Sequence, residues 1–324
     1  MTQERFFEKC ILVALLCCPG VLFGQSYPSK TVTLVVPFVQ GGQHDTSARI
    51  VSEPLSKLLG QPVVVENRAG ASGNIAYQMV ARAPKDGYTI LVGYIGTSAC
   101  NPSLFANLTW DPIKDFAAVA MLTTSTHVIV VHPSVPAHNL KELIAYLKQN
   151  PGKVNLASSG LGTLSHIGPV RFQQLTQTEM VHVPFKGGGQ VMPELLAGRI
   201  QVYFATPASA MQHVQAGKLR ALAVTSMSRN PSMRDVPTAN ESGLPAFEVE
   251  AWAALFAPAG TPSEVITKLS DAVKRALEMP ATRQRVAGVG LETSYLGPEA
   301  MAAQVQKDLD TCSATIRAAG IKAD

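Results

Sequence analysis

Two short stretches of glycine and hydroxyl residues carry most of the chemistry this chain offers. The first runs from Pro37 through Gly41, Gly42 and Asp45 to Thr46, directly after the apolar run Val32–Val36. The second runs from Ala157 through Ser158, Ser159, Gly162 and Thr163 to His166, after Lys153–Leu156. Each reads as a turn from a buried strand into a helix. There the first backbone N–H groups lack intrahelical partners and the helix dipole adds partial positive charge, which together favour an anion. Neither stretch contains Lys or Arg, so an anion would be held by main-chain and hydroxyl donors alone. Two such half-sites, far apart in the chain, predict a ligand gripped between two lobes.

Each residue also has a plainer reading. Gly41 and Gly42 would equally serve a tight turn with positive φ. Asp45 would serve as a helix N-cap, and a carboxylate facing an anionic ligand would repel it, so capping or contact with an amine or hydroxyl fits it better. His166 suits a hydrogen-bonded helix start, and Ser158 and Ser159 suit satisfaction of turn backbone. Trp252, within Glu250–Ala253, reads as core or interlobe packing rather than a ligand platform.

Around these stretches, apolar strand-like runs alternate with helical patterns, the mark of parallel α/β sheets. Strands are expected at Val32–Val36, Val63–Glu66, Thr89–Val92, His127–Val131, Val154–Ala157, Val181–Val183, Ile200–Phe204 and Leu219–Val224. Asn139-Leu140-Lys141-Glu142 is a capping box, and Thr261-Pro262-Ser263-Glu264 is read as opening a helix the same way, with proline at the first helical position. Gly60, Gly198 and Gly217 sit where helices should stop. The segment Met121–Ser134 reads as a strand leaving one lobe and Leu219–Ser226 as one returning. The lobes are then 27–124 plus 226–324, and 125–225.

At 324 residues, 46% hydrophobic and 15% charged, the chain can bury two α/β cores. The apolar segment Cys10–Phe23 is too short to span a bilayer, which takes roughly 20 residues, and fits a secretory leader over 1–26, cleaved near Gly24 to Ser26. A net charge of +4, spread along the chain and unchanged by loss of that leader, gives no reason to expect nucleic acid. Cys100 and Cys312 remain after cleavage, and a disulfide between them is open in an oxidising compartment. However, Met301, Val305, Leu309, Cys312 and Ile316 repeat at helical spacing, which favours Cys312 as a small core residue. The scattered histidines suggest no metal, and no cofactor is expected. There is no nucleophile elbow, phosphate loop, zinc-protease motif or acid/base pair, which argues against an enzyme.

The chain resembles the substrate-binding proteins of tripartite tricarboxylate transporters, the Bug family of periplasmic receptors. The likeness runs through Tyr27-Pro28-Ser29-Lys30, Val36-Pro37-Phe38 with Gly41-Gly42 and Asp45, and Gln61–Arg68. It continues through Asp86–Thr89, Asn101–Leu104, Val181–Gly187, Ala216–Thr225, Asp235–Thr238 and Ala257–Pro262. The resemblance implies a two-lobed α/β periplasmic-binding-protein fold, its lobes joined by two crossing segments and closing on a small organic acid. By position it implies contacts from Gly41, Gly42 and Asp45, with Thr97 and Asn101 nearby. From the other lobe come Ser158, Ser159, Gly162, Thr163 and His166, with Lys186 and Gly187 at the rim, where Lys186 suits a solvated charge or an anion-steering one. It also implies a periplasmic monomer serving a two-component membrane permease, or a sensory receptor acting through a signalling partner.

The chain departs from the family pattern in several places. Val39-Gln40 stands where Pro-Pro or Pro-Gly is usual, and Leu161 replaces a more often polar residue. Ala205 stands where an acidic residue is common, which removes a partner for an amino group and tilts the ligand from amino acids toward plain or aromatic carboxylates. Pro54 and Pro169 fall inside the helices behind the two loops, which are expected to kink or restart.

Overall fold

A computed structural model describes residues 27–160, 163–185, 187–245 and 247–321. The expected leader, Leu161, Gly162 and Lys186 lie outside the described residues. The chain forms β1 (Val32–Val36), α1 (Gln43–Leu59), β2 (Val63–Asn67), α2 (Asn74–Ala81), β3 (Thr89–Tyr94) and a short α3 (Asn101–Leu104). There follow β4 (Phe116–Thr126), β5 (Val128–Val131), α4 (Leu140–Gln149), β6 (Asn155–Ser158), α5 (Leu164–Thr176), β7 (Val181–Pro184) and α6 (Gly188–Leu196). Then come β8 (Val202–Ala205), α7 (Pro207–Gln215), β9 (Arg220–Val224), β10 (Glu250–Pro258), α8 (Ser263–Glu278), α9 (Pro280–Gly288), β11 (Glu292–Thr293) and α10 (Pro298–Ala319).

These strands make two sheets, each the centre of a lobe. The larger has the order β11-β4-β10-β3-β1-β2 and the smaller β7-β6-β8-β5-β9. Both sheets are buried on two faces. In β1, Val32, Leu34 and Val36 pack with α1 and α8, while Val35 faces the opposite core with Tyr77 and Val80. In β5, Val128 and Val130 pack with Val191 and Leu195, and Ile129 and Val131 with Leu140 and Phe172. This two-sided burial explains the unbroken apolar runs.

The expectation of parallel sheets needs correction, because both are mixed. β10 runs antiparallel to β3 and β4, and β5 antiparallel to β8 and β9. β5 and β10 are the strands on which the chain enters the smaller and re-enters the larger sheet, and the short β11 also runs antiparallel, to β4. Only His127 separates the end of β4 from the start of β5. Beside it, Thr225 N donates to His127 O (2.8 Å) and Val249 N to Thr225 O (2.9 Å). The His127 N–H in turn donates to Thr225 Oγ1 at 3.0 Å. The passages between lobes are therefore stitched side by side.

The capping box at Asn139 forms, with Glu142 N donating to Asn139 Oδ1 (2.9 Å) and His138 N to Glu142 Oε2 (2.6 Å). The second does not. Pro262 itself occupies the cap position of α8, and Thr261 Oγ1 donates to Pro258 O (2.8 Å) instead of accepting from the helix. Pro54 and Pro169, expected to make α1 and α5 kink or restart, lie inside continuous helices, so neither helix restarts there. Each proline is buried.

Cys312 lies on the buried face of α10 as its spacing predicts, but it is also joined to Cys100 in a disulfide. The link spans 212 residues and ties the last helix to the turn after β3. Replacing both cysteines by serine is expected to lower stability by about 2–4 kcal/mol, measured by urea unfolding, because a long closed loop is released in the denatured chain.

Candidate functional site

The first glycine turn is built around one carboxylate. Asp45 is buried, and its Oδ2 accepts from Gly41 N–H (2.9 Å) and Arg49 Nε (2.9 Å). Its Oδ1 accepts from Asn67 Nδ2 (2.9 Å), which also bonds Phe38 O (3.0 Å). Burial opposes ionisation, but bonds from Arg49, Gly41 and Asn67 outweigh it and hold the carboxyl below its usual range. Asp45 thus points into its own lobe, where it buckles the turn. The N-cap position is Gly42, in an extended conformation, so the N-cap reading of Asp45 is corrected by three residues. Positive φ belongs to Gly41 alone (+85°), and a Cβ on Gly42 would meet nothing nearer than Val39 O at 3.7 Å. Gly41 is thus needed by the turn, whereas Gly42 leaves the start of α1 open.

Thr97 and Asn101 are buried behind this turn. Both donate to Ser72 O, at 3.0 and 3.1 Å, and Asn101 also donates to Asn74 Oδ1 at 2.9 Å. Ser72 and Ala71 have positive φ, so the two side chains clamp a strained turn. A Cβ on the adjacent Gly73 would lie 2.9 Å from Thr97 Oγ1 and 3.2 Å from Pro37 Cβ, so this clamp supports the first turn from behind.

The second turn closes on its own hydroxyls. Ser158 Oγ lies 2.7 Å from His182 Nε2, and Ser159 N donates to Ser165 Oγ at 2.9 Å. Thr163 Oγ1 donates to Gly160 O (2.7 Å) and lies 3.0 Å from Ser165 Oγ. Tyr203 adds its hydroxyl to Ser159 and Ser165. His166 is buried and stacks on His182 at 4.2 Å, and burial followed by the neighbouring imidazole lowers it to about 4. Thr163 occupies the N-cap position of α5 without a side-chain cap bond. Gly187 (φ +125°) precedes α6 at an open position, and Ala205 ends β8 fully buried.

The turns meet through residues that sequence reasoning passed over. His44, in the first turn of α1, packs against the Tyr94 ring at a tilt of 59° with centroids 4.4 Å apart, and Phe38 lies 5.0 Å away. The Tyr94 hydroxyl in turn meets the backbone amide of Leu164, the first residue of α5. A Cβ on Gly96 would lie 2.3 Å from Tyr94 Cε1, so that glycine makes room for the ring. Nearby, a cavity of about 350 Å³ is lined by Gly41, Gln43 and Thr46 from the larger lobe and Thr206 and Ala208 from the smaller. Of the proposed site residues, it gathers Gly41 and reaches the residue after Ala205.

A second cavity of about 380 Å³ reaches Leu164 from the hinge side and carries a different chemistry. Its wall includes Arg171, Glu248, Glu250, Trp252, Lys307 and Asp308. Trp252 is buried and donates from Nε1 to Asp308 Oδ2 at 2.8 Å, the packing role expected of it. Burial, then the Glu248 and Glu292 carboxylates, push Glu250 up to about 7.

This architecture is that of the two-lobed periplasmic-binding-protein fold, with helix starts from both lobes facing an interlobe seam. The chain belongs to the tripartite tricarboxylate transporter receptor family, whose model matches residues 47–321. BugT of Bordetella pertussis is 31% identical over 313 residues, covering 96% of each chain. The structure of Rpa4515 from R. palustris with adipate is similar at a TM-score of 0.77 and 33% identity, covering 91% of this chain and 99% of that one. MatC from Rhodopseudomonas palustris, with bound malate, gives a TM-score of 0.74 and 35% identity, covering 90% of this chain and 100% of that one.

Asp45→Ala leaves the Gly41 amide, Arg49 and Asn67 without their acceptor. It is expected to cost about 1–3 kcal/mol in urea unfolding and to weaken ligand binding through a loosened turn. Glu250 generates a pH dependence. Its folded pKa is raised, so the folded state holds a proton that the unfolded chain, at 4.5, has lost. Its contribution is therefore complete below the unfolded value and disappears as pH rises through about 7. Between about pH 5 and pH 8, Glu250→Gln should reduce the fall in melting temperature seen for the parent protein.

Proposed function

We propose that this protein is a periplasmic solute receptor that captures a small organic carboxylate in its interlobe cleft and delivers it to a two-component membrane permease. The reading includes export with loss of residues 1–26, lobes of 27–124 plus 226–324 and 125–225, and a monomeric receptor. Proposed ligand contacts are Gly41, Gly42, Ser158, Ser159, Gly162, Thr163 and His166, with Lys186, Gly187 and Ala205 at the edge. Asp45, Thr97 and Asn101 act through the geometry of the first turn.

One observation carries this reading. The starts of α1 and α5, from opposite lobes, approach one seam at Tyr94, and their first turns, 43–46 and 164–167, contain no Lys or Arg. Membership of a receptor family, with relatives solved with adipate and with malate, supports the ligand class. The energetics are sufficient. Micromolar affinity needs about 8 kcal/mol, and hydrogen bonds to a charged group contribute about 1.5–3 kcal/mol each. Four or five donors reach that figure only when both lobes contribute, since ordering costs must also be met. Closure is therefore part of binding.

A thermal-shift screen of organic acids and amino acids, with native mass spectrometry of the purified protein, tests the proposal. Stabilisation by one or more carboxylates is expected, and a clear preference for aspartate or glutamate would overturn the ligand class. Gly42→Val should retain the parent melting temperature, since its Cβ has room, yet weaken carboxylate binding on the order of a hundredfold by covering donors of α1.

A further inference from the structure

The hinge-side cavity gathers more negative than positive charge. Glu248 and Glu250 reach it from the segment that re-enters the larger sheet, and Asp308 from α10. Lys307 of α10 and Arg171 of α5 are the cations on its wall. A fourth carboxylate, Glu292 of β11, stands close enough to act on Glu250. The sheet register explains the crowding. Glu250 opposes Thr126 and Glu292 opposes Thr124, so β10 and β11 bring their acids to either side of the end of β4. Directly beyond that end, the chain crosses to the smaller lobe at His127.

Partners divide the four acids unequally. Glu248 pairs with Lys307 at 3.1 Å. Asp308 Oδ2 accepts from Trp252 Nε1 (2.8 Å) and Gln304 Nε2 (3.0 Å), and Glu292 Oε1 accepts from Asn230 Nδ2 (3.0 Å). Among the described residues, no donor reaches the Glu250 carboxylate, although the cavity wall partly buries it. β4, which lies alongside, carries no charged residue, and the adjoining His127, lowered to about 4 by burial, is neutral at pH 7. Partial burial and like charges without a donor disfavour a negative charge at Glu250. A proton is the partner that its surroundings leave to it.

The opposite wall of the cavity belongs to the smaller lobe. Leu164, Ile167, Gly168 and Arg171 line it from the first two turns of α5. Leu164 is also the residue whose amide meets Tyr94 at the interlobe seam. Withdrawal of α5 from α10 would therefore wet the cavity and break the seam in one movement. We propose that Glu250 and the acids around it form a proton-operated hinge, in which α5 seats against the larger lobe while Glu250 is protonated and withdraws when that proton is lost. Solvation gives the sign. In the seated arrangement burial, then Glu248 and Glu292, raise Glu250 to about 7, and an opened cavity returns it toward 4.5. Ionisation thus costs less with α5 withdrawn, and the balance moves that way as pH rises through about 7. Arg171 donates to Glu248 O at 2.9 Å and is attracted by Glu248 and Asp308, which holds the seated arrangement together against that drift. This inference goes beyond the receptor reading and does not require it.

Spin labels on cysteines introduced as Lys148→Cys on α4 and Asp271→Cys on α8, both exposed positions, report the separation of the lobes. Distance measurements on the purified protein, without added solute, should resolve two populations. The ratio of withdrawn to seated molecules should rise about tenfold between about pH 6 and pH 8. Glu250→Gln, close in shape and always neutral, should hold the low-pH ratio throughout. Glu248→Gln removes one like charge and should keep the transition with its midpoint at lower pH than in the parent. A ratio independent of pH in the parent protein would overturn the inference, as would an unchanged titration in Glu250→Gln. Failure of every organic acid to bind would count against the receptor reading alone and leave this measurement decisive.

Discussion

The Asp45 carboxylate, locked between the Gly41 amide, Arg49 and Asn67, is the contact on which the first glycine turn, half of the proposed binding face, depends. A helix start can receive an anion only if its outer amides point away from their own chain. Glycine makes that turn sterically accessible, but it also makes it floppy. Asp45 removes the floppiness from inside the lobe, taking up the one amide at Gly41 while those at the start of α1 stay clear. Its negative charge does not reach an incoming anion unopposed, because Arg49 lies against it. Asn67 extends the lock to the end of β2, so the turn is referenced to two strands at once.

The smaller lobe solves the same problem without a buried charge. Ser158, Ser159, Thr163 and Ser165 bond one another and the backbone of their own turn, with His182 and Tyr203 as outer members. Hydroxyls rotate, and each can donate while accepting. The first half-site is therefore rigid and the second adaptable. That asymmetry suits a cleft in which one lobe seats the solute and the other closes over it.

Much of this was legible in the sequence. β1 and both glycine turns were visible because buried strands read as apolar runs and their exits need glycine or hydroxyl residues. Asn139 and Glu142 announced a helix start correctly, because a capping box is a local device. Less local features were hidden. The central strand β10 is rich in alanine, which carries little strand preference, so Glu250–Pro258 gave no strand signal. Its antiparallel direction also follows from where the chain must return, which no short window contains. Tyr94, His182 and Tyr203 join the two turns through distances across the fold and leave no motif.

The Cys100–Cys312 bond gives the terminal helix an unusual mechanical position. It fastens α10 to the larger lobe, while Gln174 of the smaller lobe donates to Thr315 O on the same helix at 3.0 Å. The helix is thus bolted at one side and merely rested upon at the other. The disulfide keeps α10 with the larger lobe, and α5 meets it through a contact that is not covalent. In the proposed receptor, that unequal attachment would favour movements of the smaller lobe that leave α10 with the larger one.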